Sequence, residues 1–240
     1  MELADLLTIA ALVLLEAALS ADNALVLAVL VLPLPKEQHN KALRYGIIGA
    51  FAFRFVAIFF AAFLINFHIA KLLGALYLFY LSIQHFFVPP ESEEHRYIRP
   101  ATAMMGLSVF WSVVVRVEVT DMVFAIDSIL VAVAMSRKLW VIITGGILGV
   151  VAMRVVIGKL LGMIQRYPAV VDGAYVIVAW VAAKLMVEYL HSMEWIHWEI
   201  PRWLSLTVIA LIFIGSLFYA RGKQEVTAKA AERAKTGQPL

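Results

Sequence analysis

The chain has 240 residues, of which 63% are hydrophobic and 15% charged, with a mean hydropathy of +0.88. A soluble domain carries roughly 25% charged residues, and a soluble core of this size cannot bury so much apolar surface, so a soluble globular protein is excluded in favour of an all-α polytopic membrane protein. The net charge of +3 gives no case for a nucleic-acid partner, and the lack of cysteine excludes disulfides and thiolate metal ligands.

Taken in chain order, the start MELADLL lacks the basic region a cleavable signal needs, so none is expected. Seven apolar spans follow, at 4–32, 43–65, 70–88, 104–135, 140–163, 171–190 and 203–220. Spans one and four exceed the about 20 residues that cross a hydrocarbon core, and both carry polar knots, so each is expected to be broken or strongly tilted. The joints are polar or proline-bearing: PLPKEQHNK (33–41), PPESEEHRYIRP (89–100), SRK (136–138), QRYP (165–168) and HSMEWIHWEIPR (191–202). Lys and Arg in the loops set the orientation. Eleven lie on one side (Lys36, Lys41, Arg44, Arg96, Arg99, Arg166 and five in the tail after 220), against four on the other (Lys71, Arg137, Lys138, Arg202). The first side is therefore cytoplasmic, the N-terminus outside and the C-terminus inside, in the plasma (inner) membrane of a prokaryote.

The two halves resemble each other. EAALSADNALVLAV (16–29) lies over DMVFAIDSILVAVA (121–134), which sets Glu16 against Asp121, Asp22 against Asp127 and Asn23 against Ser128. GIIGAFAFR (46–54) lies over GILGVVAMR (146–154), which matches Arg54 with Arg154, and Gly74-Ala75 lies over Gly173-Ala174. Three spans per half give the halves opposite orientations, an inverted-topology repeat of the kind many transporters use, with a site near the midplane. The expected organisation is a first three-helix repeat (1–88), a cytoplasmic loop (89–103), a second repeat (104–190), an outer loop (191–202), a seventh transmembrane helix (203–220) and a cytoplasmic tail (221–240).

Ionised groups at the bilayer centre cost several kcal/mol and persist where they face a cavity, a partner or an ion. Spans one and four hold Glu16, Asp22, Glu118, Asp121 and Asp127, beside Asn23, Ser20, Thr120 and Ser128. Glu16 and Asp22 are six residues apart, as are Asp121 and Asp127, which places each pair about 120° apart on a regular helix. Both members reach one ion only if the helix opens between them. An all-oxygen set without Cys or His suits a hard or borderline divalent ion such as Mn²⁺, Mg²⁺ or Ca²⁺. The competing explanation is an internal ion-pair network with Arg54, Arg154 and Lys184. The two combine if the arginines balance the acids and compete for them when the ion leaves. Lys184 lies opposite His85 in the repeat and so has no charged counterpart there. Protons are candidate coupling ions, because clustered acids without a cation repel one another and favour uptake of a proton. The glycines at 46, 49, 145, 146, 149, 158 and 162 are read as close helix contacts.

LLEAALSADNALVLAV and VEVTDMVFAIDSILVAV, with E-x5-D-N in one half and E-x2-D-x2-F-A-x-D-S in the other, resemble the signature segments of the TerC family of integral membrane proteins. The likeness spans the chain to about residue 220 and implies a place in the LysE-like exporter group. It carries the acidic signature onto Glu16, Asp22, Asn23, Glu118, Asp121, Asp127 and Ser128 as metal ligands. It also implies Mn²⁺ above other divalent ions as the exported cargo, with relatives linked to tellurium-oxyanion resistance or to metal supply for exported enzymes, and hence secretion machinery as a further partner. The chain departs from the pattern at Gln84-His85 and at Arg116. An anion or amino-acid exporter, with Arg54 and Arg154 as clamps, is the alternative. No G-x-G-D, H-E-x-x-H or Walker A pattern occurs, so neither an intramembrane enzyme nor ATP-driven transport by these residues is expected, and no permanent cofactor is implied.

Overall fold

The computed structural model describes residues 3–61, 68–88, 103–104 and 106–236; for residues 18, 19, 21, 22 and 223–236 it describes the backbone alone. The expected loop at 89–103 falls almost wholly outside the described residues.

The described residues form eight helices: α1 (Leu3–Leu19), α2 (Ala21–Val31), α3 (Lys36–Phe59), α4 (Ile69–Phe87), α5 (Val109–Met135), α6 (Leu139–Arg166), α7 (Val170–Ser192) and α8 (Arg202–Thr236). Among them, α3, α4, α6, α7 and the first 21 residues of α8 are long and apolar enough to cross a membrane. The first apolar span is two helices, α1 and α2, of 17 and 11 residues. They meet at Ser20, whose φ of −104° and ψ of 4° leave the helical region. This is the interruption expected between Glu16 and Asn23.

The fourth span behaves differently. α5 runs unbroken over 27 residues despite Arg116, Glu118, Asp121 and Asp127. It begins later than expected, at Val109, with the Ser108 hydroxyl accepting from the Trp111 N–H. The preceding turn holds Gly106 at φ +76°, where a side chain is strained. α3 begins earlier than expected, at Lys36, because Pro35 stands at the N-cap and the charged run that follows (with Glu37 in the first turn) is helix-compatible. His39 secures that corner: its Nε2 donates to the Leu34 carbonyl at 2.6 Å, and its Nδ1 accepts from Gln165 of α6 at 2.8 Å.

Packing crosses between the halves. α1 lies on α6, α3 on α5, and α4 on α7, while α2 is surrounded by α5, α6 and α7. Residues 24–31 of α2 are all buried, which explains why this segment is apolar on every side. The close crossings use glycine. A Cβ on Gly149 would meet Glu16, and one on Gly49 would meet Glu118. Glu16 and Glu118 are thus each packed against a glycine of a neighbouring helix. α8 closes the bundle against α7, where Trp180 Nε1 donates to the buried Ser205 hydroxyl at 3.1 Å.

Candidate functional site: two charge clusters joined at Ser128

The inner cluster sits where α1, α3, α5 and α6 cross. Arg54 of α3 grips Glu16 of α1 with both terminal nitrogens, Nη2 to Oε1 at 2.5 Å and Nη1 to Oε2 at 3.2 Å. The Ser20 hydroxyl, at the helix interruption, donates to Glu16 Oε1 at 3.0 Å. Arg154 of α6 donates through Nη2 to Asp121 Oδ2 at 3.1 Å and to the Gly46 carbonyl at 3.2 Å, and stands 3.5 Å from Glu118 Oε1. Glu16, Arg54, Asp121 and Arg154 are all buried. Their satisfaction is incomplete. Both Glu118 oxygens, Arg154 Nε and Nη1, and Arg54 Nε are buried without a hydrogen-bond partner among the described residues. Among the described residues, three carboxylates thus face two guanidiniums.

The second cluster lines a cavity of about 440 Å³ at the end of the bundle formed by His68, Ser192 and the 199–202 segment. Asn23, Lys71, Asp127, Ser128, Lys184 and Glu188 supply its polar wall. Lys71 of α4 reaches Asp127 of α5 at 3.0 Å and Glu188 of α7 at 3.3 Å, and Lys184 lies 3.9 Å from Glu188.

The expected site residues are therefore divided. Glu16, Glu118 and Asp121 gather around Arg54 and Arg154, as the ion-pair alternative required. Asp127 does not join Asp121. On an unbroken helix, six residues turn it to another face, and it meets Lys71 instead. Ser128 belongs to both clusters, since its hydroxyl accepts from Arg54 Nη1 at 3.4 Å and also lines the cavity beside Asn23. The side chain of Asp22 lies outside the described residues. Among the described residues no three His, Asp or Glu side chains converge on a common point, because a basic side chain stands between the acids.

Sequence reasoning missed Lys71 and Glu188. Lys71 was counted as a loop charge, yet it stands in the first turn of α4 with its side chain only 18% exposed. Glu188 had one local signal, its position one turn after Lys184, but its main partner is 117 residues away. His85, a departure from the family pattern, lies away from both clusters; it pairs with Asp172 at 2.9 Å and stacks on Tyr175.

A profile described as "Integral membrane protein TerC family" matches residues 1–227. The membrane protein YceF of Bacillus subtilis is 39% identical over 226 residues, covering 93% of this chain and 86% of its own. YkoY of the same organism is 36% identical over 240 residues, covering 88% and 71%. A Photorhabdus laumondii protein proposed as a membrane-bound redox modulator, Alx, is 23% identical over 204 residues, covering 74% and 64%. No solved structure matches the chain at a significant level.

Proposed function

The chain belongs to the TerC family of integral membrane proteins, and from that premise we propose that it is a secondary transporter exporting a divalent cation, with Mn²⁺ as the leading cargo. The observation that carries this reading is the charge balance of the inner cluster: among the described residues three carboxylates face two guanidiniums, and both Glu118 oxygens are buried without a hydrogen-bond partner. A buried carboxylate in excess of its counter-charges is costly, and a dication entering among the three offsets that cost. Arg54 and Arg154 hold the acids between turnovers and yield them to the ion. Protons serve as the coupling ions. The cavity beyond Ser128 is the ion's route to the outer face, and the seven spans act as two inverted three-helix repeats that rock about the site.

The protein sits in the bacterial inner membrane with its N-terminus outside and its C-terminus in the cytoplasm; reporter fusions at the two ends test this, and both ends on one side would sink the seven-span scheme. Export is tested in cells. Asp22→Asn and Asp127→Asn variants are expected to lose the lowering of cell manganese that the parent gives, and parental activity in both refutes the reading.

One observation favours an alternative cargo. Lys71, Lys184 and Arg202 line the cavity together with Asp127 and Glu188, a mixed-charge wall that also suits an amino acid or an oxyanion. Equilibrium binding of Mn²⁺ against lysine and tellurite on purified protein separates the two. The Photorhabdus relative's name gives a redox modulator; a thiol-based form of such a role has no cysteine among these 240 residues to carry it.

A further inference from the structure

Resting on the cation-export reading, we propose that Lys71 is a tethered counter-cation that gates release of the ion at the outer cavity. Its ammonium occupies the place between Asp127 and Glu188 that a departing cation would take, and the ion leaves by exchange with it.

Three features lead there. First, Lys71 contacts two carboxylates on two different helices, Asp127 of α5 at 3.0 Å and Glu188 of α7 at 3.3 Å, while being carried by a third, α4. It therefore pins three helices together at the cavity. Second, the pinned acid is one residue from Ser128, whose hydroxyl bonds Arg54 of the inner cluster. A cation passing from Glu16 and its neighbours to the cavity meets Ser128 and then Asp127. Third, Lys184 sits 3.9 Å from Glu188, so Glu188 keeps a neighbouring ammonium when Lys71 withdraws. Asp127, the more exposed acid at 40%, is the one freed for the ion.

An ammonium and a divalent ion cannot share one carboxylate pair at close range. Arrival of the ion expels Lys71, unpins α4 from α5 and α7, and opens the outer end. Return of Lys71 expels the ion, which keeps the outer site weak enough for release. Lys71 thus acts as a positioning residue that sets release affinity, with no need to touch the cargo.

The test measures Mn²⁺ binding to purified full-length protein. Lys71→Met removes the charge at similar length and is expected to bind Mn²⁺ about tenfold more tightly, the size expected from losing a partly exposed pair of contacts. Lys71→Arg should keep parental affinity, and Asp127→Asn added to Lys71→Met should abolish the gain. Unchanged or weaker affinity in a Lys71→Met protein of parental thermal stability overturns the proposal. If that variant does not fold, amine acylation of the parent read by mass spectrometry decides: Mn²⁺ is expected to raise modification of Lys71, and an unchanged rate overturns the proposal. A parent that shows this competition but leaves cell manganese unaltered refutes export alone. A parent that lowers cell manganese while its Lys71 ignores Mn²⁺ refutes the gate alone.

Discussion

The Arg54–Glu16 pair permits a demanding test of what holds the inner cluster. Both side chains are buried, at 7% and 5% exposed, and they meet through two parallel hydrogen bonds. Arg54→Met leaves Glu16 with Ser20 as its one remaining donor among these contacts. Removing one partner of such a buried pair costs about 3–5 kcal/mol, because the survivor is an uncompensated charge. Glu16→Gln takes the counter-charge from Arg54, leaving it the neutral amide oxygen and Ser128 as acceptors. The double variant strands neither: the amide introduced at position 16 can still accept from Ser20, and the thioether chain introduced at position 54 fills much of the space. Replacing both members of a buried pair is often close to neutral, so the double variant should be more stable than either single one, with a coupling of about 3 kcal/mol or more. For a chain of this size each kcal/mol moves the midpoint by about 2–4 °C, so each single variant should lose about 10 °C. Thermal unfolding of detergent-solubilised protein at neutral pH, followed by circular dichroism, reads all four corners of the cycle. Single losses that simply add in the double variant would refute the pair as the organising contact of α1 and α3.

The glycine crossings give a second contrast. Gly149→Ala puts a Cβ 2.8 Å from Glu16 Cβ and 2.5 Å from Glu16 Cγ, atoms too near the α1 backbone to swing away, and should cost about 1–3 kcal/mol. Gly158→Ala on the same helix meets nothing within 4 Å and should be neutral or stabilising by up to about 1 kcal/mol through helix propensity; equal losses in the two would show that packing against α1 is not what selects glycine at 149. At the α7–α8 seam, Ser205→Ala takes the acceptor from Trp180 Nε1 and should lower stability by about 1–3 kcal/mol with little effect on cation binding, measured by unfolding and Mn²⁺ titration on the same sample. A loss of binding in that variant would mean that the α7–α8 seam, and not only the Arg202 end of α8, shapes the site.

Hydropathy made most of the helices legible because they are long and apolar, and the interruption at Ser20 was legible from helix phase alone: Glu16 and Asp22 are six residues apart and cannot share a face. The same arithmetic misled at α5. Asp121 and Asp127 carry the same spacing, but there the helix stays whole and the acids part to different clusters. Spacing states the conflict and not its resolution. An acid that finds a cation on its own side of the helix removes the need to unwind, and whether such a cation exists depends on residues far away in sequence. Lys71 and Glu188 are cases of this kind. Nothing within four residues of Lys71 marks it as a partner for Asp127, so its place at the head of α4 reads as an ordinary loop charge until α4, α5 and α7 are brought together. The arginines were more visible because repetition exposed them, Arg54 and Arg154 each following a glycine pair at the same interval.

The two clusters share one principle, and it bears on the sign of the cargo. In each, carboxylates are held by cations belonging to the protein: Arg54 and Arg154 inside, Lys71 and Lys184 at the cavity. The acids named in these contacts are Glu16, Glu118, Asp121, Asp127 and Glu188, five against four bases. An anion would have to draw the bases off their acids and then rest among the bared carboxylates of that cluster, three inside or two at the cavity, where each like charge within about 4–6 Å opposes it. A cation needs only to replace a base at its acid, and the freed guanidinium or ammonium turns to a neighbouring acid or hydroxyl; Arg54 already has Ser128 at 3.4 Å for this purpose. On the proposed cation reading, each exchange keeps the ion on a carboxylate, which lowers the cost of its charge in a low-dielectric interior. Under the proposed cation export, the geometry that reads at first as a closed ion-pair network serves as a chain of cation-exchange positions.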